Sequence, residues 1–93
     1  MKVVQSGIFF RTVKKLHKKE KMAVEDAVRK VAADTSTGDM KKGALIGVRV
    51  YKFKVSDKQY LLAYRYDKKL DQLTLLALGS HENFYRDLPK YNE

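Results

Sequence analysis

The sequence predicts an α+β fold, a single domain over residues 1–93, in the order β-α-α-β-β-β-α. A helical hairpin packs on an antiparallel sheet, and a short C-terminal helix closes the chain. Three observations predict this. Apolar residues recur at helical spacing through the first third of the chain. Alternating and β-branched or aromatic runs then fill residues 47–79, separated by the polar turns "SDK" and "KKLD". Hydrophobic residues make up 44% and charged residues 33% of 93 positions, which suits an ordered chain with one core and no second domain.

Each element has a local reason. "KVVQ" is a short β-prone piece. In "SGIFFRTVKKL", Ser6 is placed to cap a first helix that carries Phe9, Val13 and Leu16 on one face. After "HKKE", the segment "KMAVEDAVRKVAADTSTGD" sets Val24, Ala27, Val28 and Val31 on one face and stops at a Thr/Ser/Gly cluster. "TSTGDMKKGALIG" reads as a loop. "GVRVYKFKV", "QYLLAYRYD" and "QLTLLALG" form a meander, and "SHENFYRDLPKY" is a helix ended by Pro89.

Charge is the dominant global signal. Lys and Arg number 20 against 11 Asp and Glu, a formal +9, which draws polyanions by long-range attraction and counterion release. Nucleic acid, an acidic protein or anionic lipid all fit that balance. The absence of cysteine excludes a disulfide framework and thiolate metal sites, and fits the cytoplasm. "MKVVQSGIFFRTVKKL" has no long apolar stretch of the kind found in signal peptides, and no run approaches a membrane span. No GxGxxG, P-loop, HExxH or clustered carboxylates occur, so the expectation is no metal, no other cofactor and no membrane.

Strand parity sorts the remaining basic residues. Tyr51, Phe53 and Val55 share one face of their strand, the face the helices cover; Val50, Lys52 and Lys54 share the other. In the natural register this second face continues through Leu61, Ala63 and Arg65, then Leu73, Leu75 and Ala77, and past Gly79 to His81. Lysines are thereby expected on an open sheet face beside a histidine at a helix start, a surface suited to phosphate.

"VYKFKV…QYLLAYRY…LTLLALGSHENFY", preceded by a basic helical hairpin, resembles the RelE/ParE superfamily of bacterial type II toxins over nearly the whole chain. RelE-like members are ribosome-dependent messenger-RNA endonucleases (mRNA interferases) and ParE-like members poison DNA gyrase, so the fold alone does not choose. The resemblance implies an acidic antitoxin as partner, possible toxin–antitoxin hetero-oligomers and, on the nuclease branch, the ribosomal A site and messenger RNA. It also implies roles. Lys52 and Lys54 fall where RelE-like toxins carry strand lysines that contact the messenger, and His81 with Tyr85 repeats the Gly-x-His-x-x-x-aromatic ending of YafQ-like members. Two departures stand out: Leu61 occupies a position that is arginine in RelE, and His81 replaces an arginine after the glycine, with Arg65 or Arg86 as places for the displaced charge. Asp57 is the one weak match to an upstream carboxylate.

The chemistry accounts for these residue types independently. RNA cleavage by its own 2′-hydroxyl needs a base, positive charge on the pentacoordinate phosphorus and an acid for the leaving 5′-oxygen. His81 suits acid or base, Lys52 and Lys54 supply fixed charge, and Tyr85 stacks on a base or holds a phosphate oxygen. Arg11, Lys14, Lys15 and Lys18, spaced along one side of the first helix, suit RNA as well. Plain rivals stand beside each: a capping histidine, solvated lysines, and aromatics that serve the core, with Phe84 the expected core ring and Tyr85 the functional one. His17, inside "KKLHKKEK", is given no role.

Overall fold

The computed structural model describes residues 1–41 and 47–80. The closing helix expected over "SHENFYRDLPKY" lies outside the described residues. Within them the order is β1 (Lys2–Gln5), α1 (Gly7–Lys14), α2 (Lys18–Ala33), β2 (Asp39–Met40), β3 (Arg49–Val55), β4 (Lys58–Asp67) and β5 (Gln72–Ser80). The strands form one five-stranded sheet in the order β1-β5-β4-β3-β2. The expected meander is β3-β4-β5, antiparallel throughout, and β1 joins its far side parallel to β5.

Ser6 caps α1 as expected: its hydroxyl accepts the Phe9 N–H at 3.0 Å and donates to the Leu76 carbonyl at 2.7 Å, which ties the helix start to β5. The first helix is shorter than the apolar spacing implied. Lys15 and Leu16 turn back onto Thr12 and Val13 at 3.2 and 3.0 Å, and His17 is extended and caps α2. Glu20 completes the start of α2 by accepting the His17 backbone N–H at 3.2 Å. α1 lies against β5 and α2 against β3.

The core forms on both faces of the sheet. Phe9, Val24, Ala27 and Val31 from the helices meet Val55, Tyr60, Leu62, Tyr64, Leu73, Leu75 and Leu78. On the other face Val48, Val50, Leu61, Ala63, Leu76 and Ala77 make a second buried cluster. Two expectations are corrected here. Leu73 and Leu75 belong to the helix face, because a bulge breaks the β4–β5 register: Ala63 pairs with Ala77 but Tyr64 with Leu75, leaving Leu76 as the extra residue. The second face is also not open throughout, since the six aliphatic side chains at its centre are buried.

β2 is the strand that the loop reading of "TSTGDMKKGALIG" did not anticipate. It pairs Asp39 with Val50 and Met40 with Arg49, antiparallel to β3. A side-chain clasp delivers it there. The buried Tyr64 hydroxyl accepts the Gly38 N–H and donates to the Thr35 carbonyl, both at 2.8 Å, while Arg49 Nη1 donates to the Gly38 carbonyl at 2.8 Å.

Candidate nucleic-acid interface

β3 alternates strictly, so its lysines fall on the face opposite the helices. Tyr51 and Phe53 turn toward α2 with ring centroids 6.0 Å apart, and Phe53 stacks in turn on Tyr60 at 5.9 Å. Lys52 and Lys54 point the other way and are exposed. Neither takes part in an ion pair among the described residues. The register sets Lys52 opposite Leu61 and Leu61 opposite Gly79, so a lysine, a buried leucine and a glycine form one row across three strands. The described chain stops at Ser80, and His81, Tyr85 and Arg86 lie outside the described residues.

The structure separates other residues that the sequence grouped. Arg65 is exposed on the same face as the lysines, but pairs with Thr74 toward the opposite end of the strands. Four residues of strand separate it from Leu61, roughly 13 Å at the usual rise. The stripe expected along the first helix is divided: Arg11 and Lys14 lie in α1, Lys15 caps it and Lys18 opens α2, because the chain breaks at His17. All four are exposed. Leu61, at the position that resemblance equated with an arginine, is fully buried. Its environment is apolar, so the leucine is a core residue rather than a weakened charge.

A second constellation escaped the sequence reading. A concavity of about 430 Å³ is lined by His17, Lys19, Glu20, Asp57, Lys58 and Tyr60, between the start of α2 and the β3–β4 turn. Tyr60 donates its hydroxyl to the Glu20 carboxylate. That bond, with the His17 N–H, holds the Glu20 carboxyl below its usual value, and the same bond together with burial raises the Tyr60 phenol. Asp57 belongs to this concavity, and its lining residues do not include Lys52 or Lys54. Glu20 and Tyr60 are 40 residues apart, so no local pattern signalled them.

Chemically, the lysine face offers fixed positive charge on a rigid strand, with backbone close by at Gly79. The family of ParE-like toxins of type II bacterial toxin–antitoxin systems matches residues 3–89. The chain belongs to that family. This ParE-like toxin is similar in fold to the RelBE2 toxin–antitoxin complex of Mycobacterium tuberculosis (TM-score 0.72, 20% identity, 86% of this chain and 96% of that one). It is similar also to the intact E. coli RelBE toxin–antitoxin complex (TM-score 0.70, 15% identity, 87% and 96%). A free-state mutant of the E. coli toxin RelE matches with TM-score 0.75 and 13% identity, over 96% of the toxin described here and 94% of RelE. Among curated proteins none matches the sequence.

Proposed function

We propose that this toxin is a ribosome-dependent messenger-RNA endonuclease that arrests translation in the cytoplasm and is restrained by an acidic antitoxin. The observation that carries the reading is the pair Lys52 and Lys54, exposed and without ion-pair partners among the described residues, in a row that leads across the sheet to Gly79. The solved relatives are RelE-type toxins, and two of them were solved as toxin–antitoxin complexes.

The cleavage is metal-independent. The 2′-hydroxyl loses its proton as its oxygen attacks phosphorus, and the leaving 5′-oxygen gains one. Lys52 and Lys54 stabilise the charge that builds on the phosphorane oxygens, where fixed ammonium groups on a strand need little reorganisation. His81 transfers a proton, and Tyr85 stacks on a base or holds a phosphate oxygen. Arg65, Arg86, Arg11, Lys14, Lys15 and Lys18 bind RNA through its phosphates. The test is translation in a cell extract with primer extension on the messenger. Cuts that appear only with ribosomes support the reading.

A second reading, a gyrase poison on the same fold, is favoured by the family's ParE-like description and by the buried Leu61 at a position that is arginine in RelE. Double-strand DNA breaks with uncut messenger would establish it in place of the first.

A further inference from the structure

We propose that Glu20 and Tyr60 are positioning residues for Lys52 and Lys54: their hydrogen bond, made behind β3, fixes the strand from which both ammonium groups project. This role rests on the nuclease reading for its catalytic consequence, a faster chemical step, and on the fold alone for its mechanism.

The register sets Tyr60 at the centre of the lysine pair. Lys54 stands opposite Gln59 and Lys52 opposite Leu61, so Tyr60 lies between the cross-strand partners of both. Its own partner is Phe53, the residue between the two lysines. Side chains alternate along β3, so the lysines on one face are backed by aromatic rings on the other. Those rings form a stack, Tyr51 on Phe53 at 6.0 Å and Phe53 on Tyr60 at 5.9 Å. Packed rings transmit displacement, so what holds Tyr60 also holds the part of β3 that carries the lysines.

That part of β3 lies near a hairpin end, where local opening costs less than at a strand centre. Lys54 is two residues from Ser56, which turns the chain into β4 with φ at 55°. Two side-chain bonds from adjacent residues of α2 reach this region. Lys19 Nζ donates to Ser56 Oγ at 2.8 Å, and Tyr60 donates to the Glu20 carboxylate. The first is exposed and holds weakly. The second is part-buried and has an ionised acceptor, the stronger kind of hydrogen bond.

Glu20 is well placed to act as the anchor. It is the sole carboxylate in residues 11–21, which carry six lysines and arginines, yet it makes no ion pair among the described residues. It accepts instead from the His17 backbone N–H at 3.2 Å and from the Tyr60 hydroxyl. One carboxylate therefore joins the start of a 16-residue helix to the strand beside the lysines. The Tyr60 hydroxyl first, then the His17 N–H, lowers its carboxyl below 4.5, which keeps the acceptor charged at neutral pH.

The consequence for catalysis is specific. Fixed charge stabilises a phosphorane only where it is already in place, and misplacement by about 1 Å can cost about 10²-fold in rate. Exposed ammonium groups on a loosened strand still attract phosphate from a distance. Loosening β3 therefore lowers the rate of the bound complex and spares its affinity.

The test is single-turnover cleavage of a messenger positioned on ribosomes, run well below the melting temperature of each variant. Tyr60→Phe keeps the ring and its stack but loses the hydroxyl; its bound-state rate should fall about tenfold, with affinity within about twofold of wild type. Glu20→Ala should match it, and the double variant should be no slower than either single one. Glu20→Gln keeps an uncharged acceptor for the phenol and should recover most of the rate. Lys19→Ala should leave the bound-state rate unchanged. A wild-type bound-state rate in Tyr60→Phe, whatever its melting temperature, would overturn the inference and leave the bond as a stability element. A loss confined to affinity, additive losses in the double variant, or a Glu20→Gln protein as slow as Glu20→Ala would overturn it too. Amide exchange on the ¹⁵N-labelled chain is a second measurement that needs no substrate. Tyr60→Phe should speed exchange at residues 51–55 and leave residues 24–31 of α2 as in wild type; an equal rise in both, or none, counts against the inference. A wild-type chain that cuts no messenger loses the proposed function, and the exchange result alone then decides whether the bond fixes β3.

Discussion

The Tyr64 hydroxyl accepts the Gly38 backbone N–H at 2.8 Å, and this bond fixes where the chain after α2 joins the sheet. Tyr64 is fully buried, and a Cβ at Gly38 would lie 2.9 Å from both its hydroxyl oxygen and the Val50 carbonyl oxygen. Position 38 admits glycine because the contact on one side is backbone, which cannot swing away.

Tyr64→Phe removes the acceptor for Gly38 and the donor to Thr35 while keeping the ring. The cost is about 1–3 kcal/mol, because a buried N–H is left unsatisfied. Gly38→Ala forces β2 away from β3 and destabilises as well. Urea melts of both variants provide the measurement; wild-type stability in Gly38→Ala would show that β2 relocates freely.

Ser56 holds φ at 55° in the turn between β3 and β4, a left-handed conformation that costs a side chain energy and glycine almost none. Ser56→Gly is expected to raise stability by about 0.5–1 kcal/mol. It also deletes the exposed bond from Lys19 Nζ at 2.8 Å, a contact too solvated to reverse the sign. A lowered melting temperature would mean that the Lys19 contact outweighs the turn strain.

The Glu20–Tyr60 bond gives stability a pH dependence at both ends. The Tyr60 hydroxyl first, then the His17 N–H, lowers the folded Glu20 carboxyl below 4.5, so its contribution is complete above that value and is lost as pH falls through the folded value. Tyr60 is raised above 10.0 by the bond to Glu20 and by burial, so its contribution is complete below 10.0 and is lost as pH rises through the folded value. Tyr60→Phe keeps the stack on Phe53 and removes the bond. Its melting-temperature deficit should be flat from about pH 5 to 9 and shrink outside that window. A deficit that is unchanged in acid would show that packing, not the hydrogen bond, is what the phenol supplies.

Much of this was legible in the sequence, for identifiable reasons. Long periodic segments announced α2 and the β3–β5 meander, and strict alternation in "VRVYKFKV" placed Lys52 and Lys54 opposite the aromatic face. β2 was not legible, because a two-residue strand has no period and is set by the distant Tyr64. The bulge at Leu76 was hidden in a uniformly apolar run, and it alone moved Leu73 and Leu75 to the helix face. His17 looked like part of a charge run because its role, as the extended residue that opens α2, is one of backbone conformation.

Leu61 marks the limit of reading a site by analogy. It is fully buried in the apolar cluster between Lys52 and Gly79, so Leu61→Arg places an unpaired guanidinium in the second core. The expected loss is about 3–5 kcal/mol, and the variant should unfold before it gains activity. A stable and more active Leu61→Arg protein, judged by melting and messenger cleavage together, would reinstate the position as part of the site.

Lys52→Ala combined with Lys54→Ala tests the proposed function most directly. Both side chains are exposed and free of ion pairs among the described residues, so the fold should survive with a change under about 0.5 kcal/mol per site. If the ammonium groups stabilise the phosphorane, single-turnover cleavage on ribosomes should fall by about 10²-fold or more. Arg65→Ala, on the same face but toward the other end of the strands, should weaken messenger binding and leave the bound-state rate nearly unchanged. His81→Gln, which removes titration near neutral pH, should slow the chemical step by about 10²–10⁴-fold with binding retained. The contrast is the informative part, because general loss of positive charge lowers affinity in every variant, whereas transition-state stabilisation separates the lysine pair from Arg65. A double-lysine variant that melts normally and cuts at the wild-type rate would leave those lysines as a charged surface with no part in the chemistry.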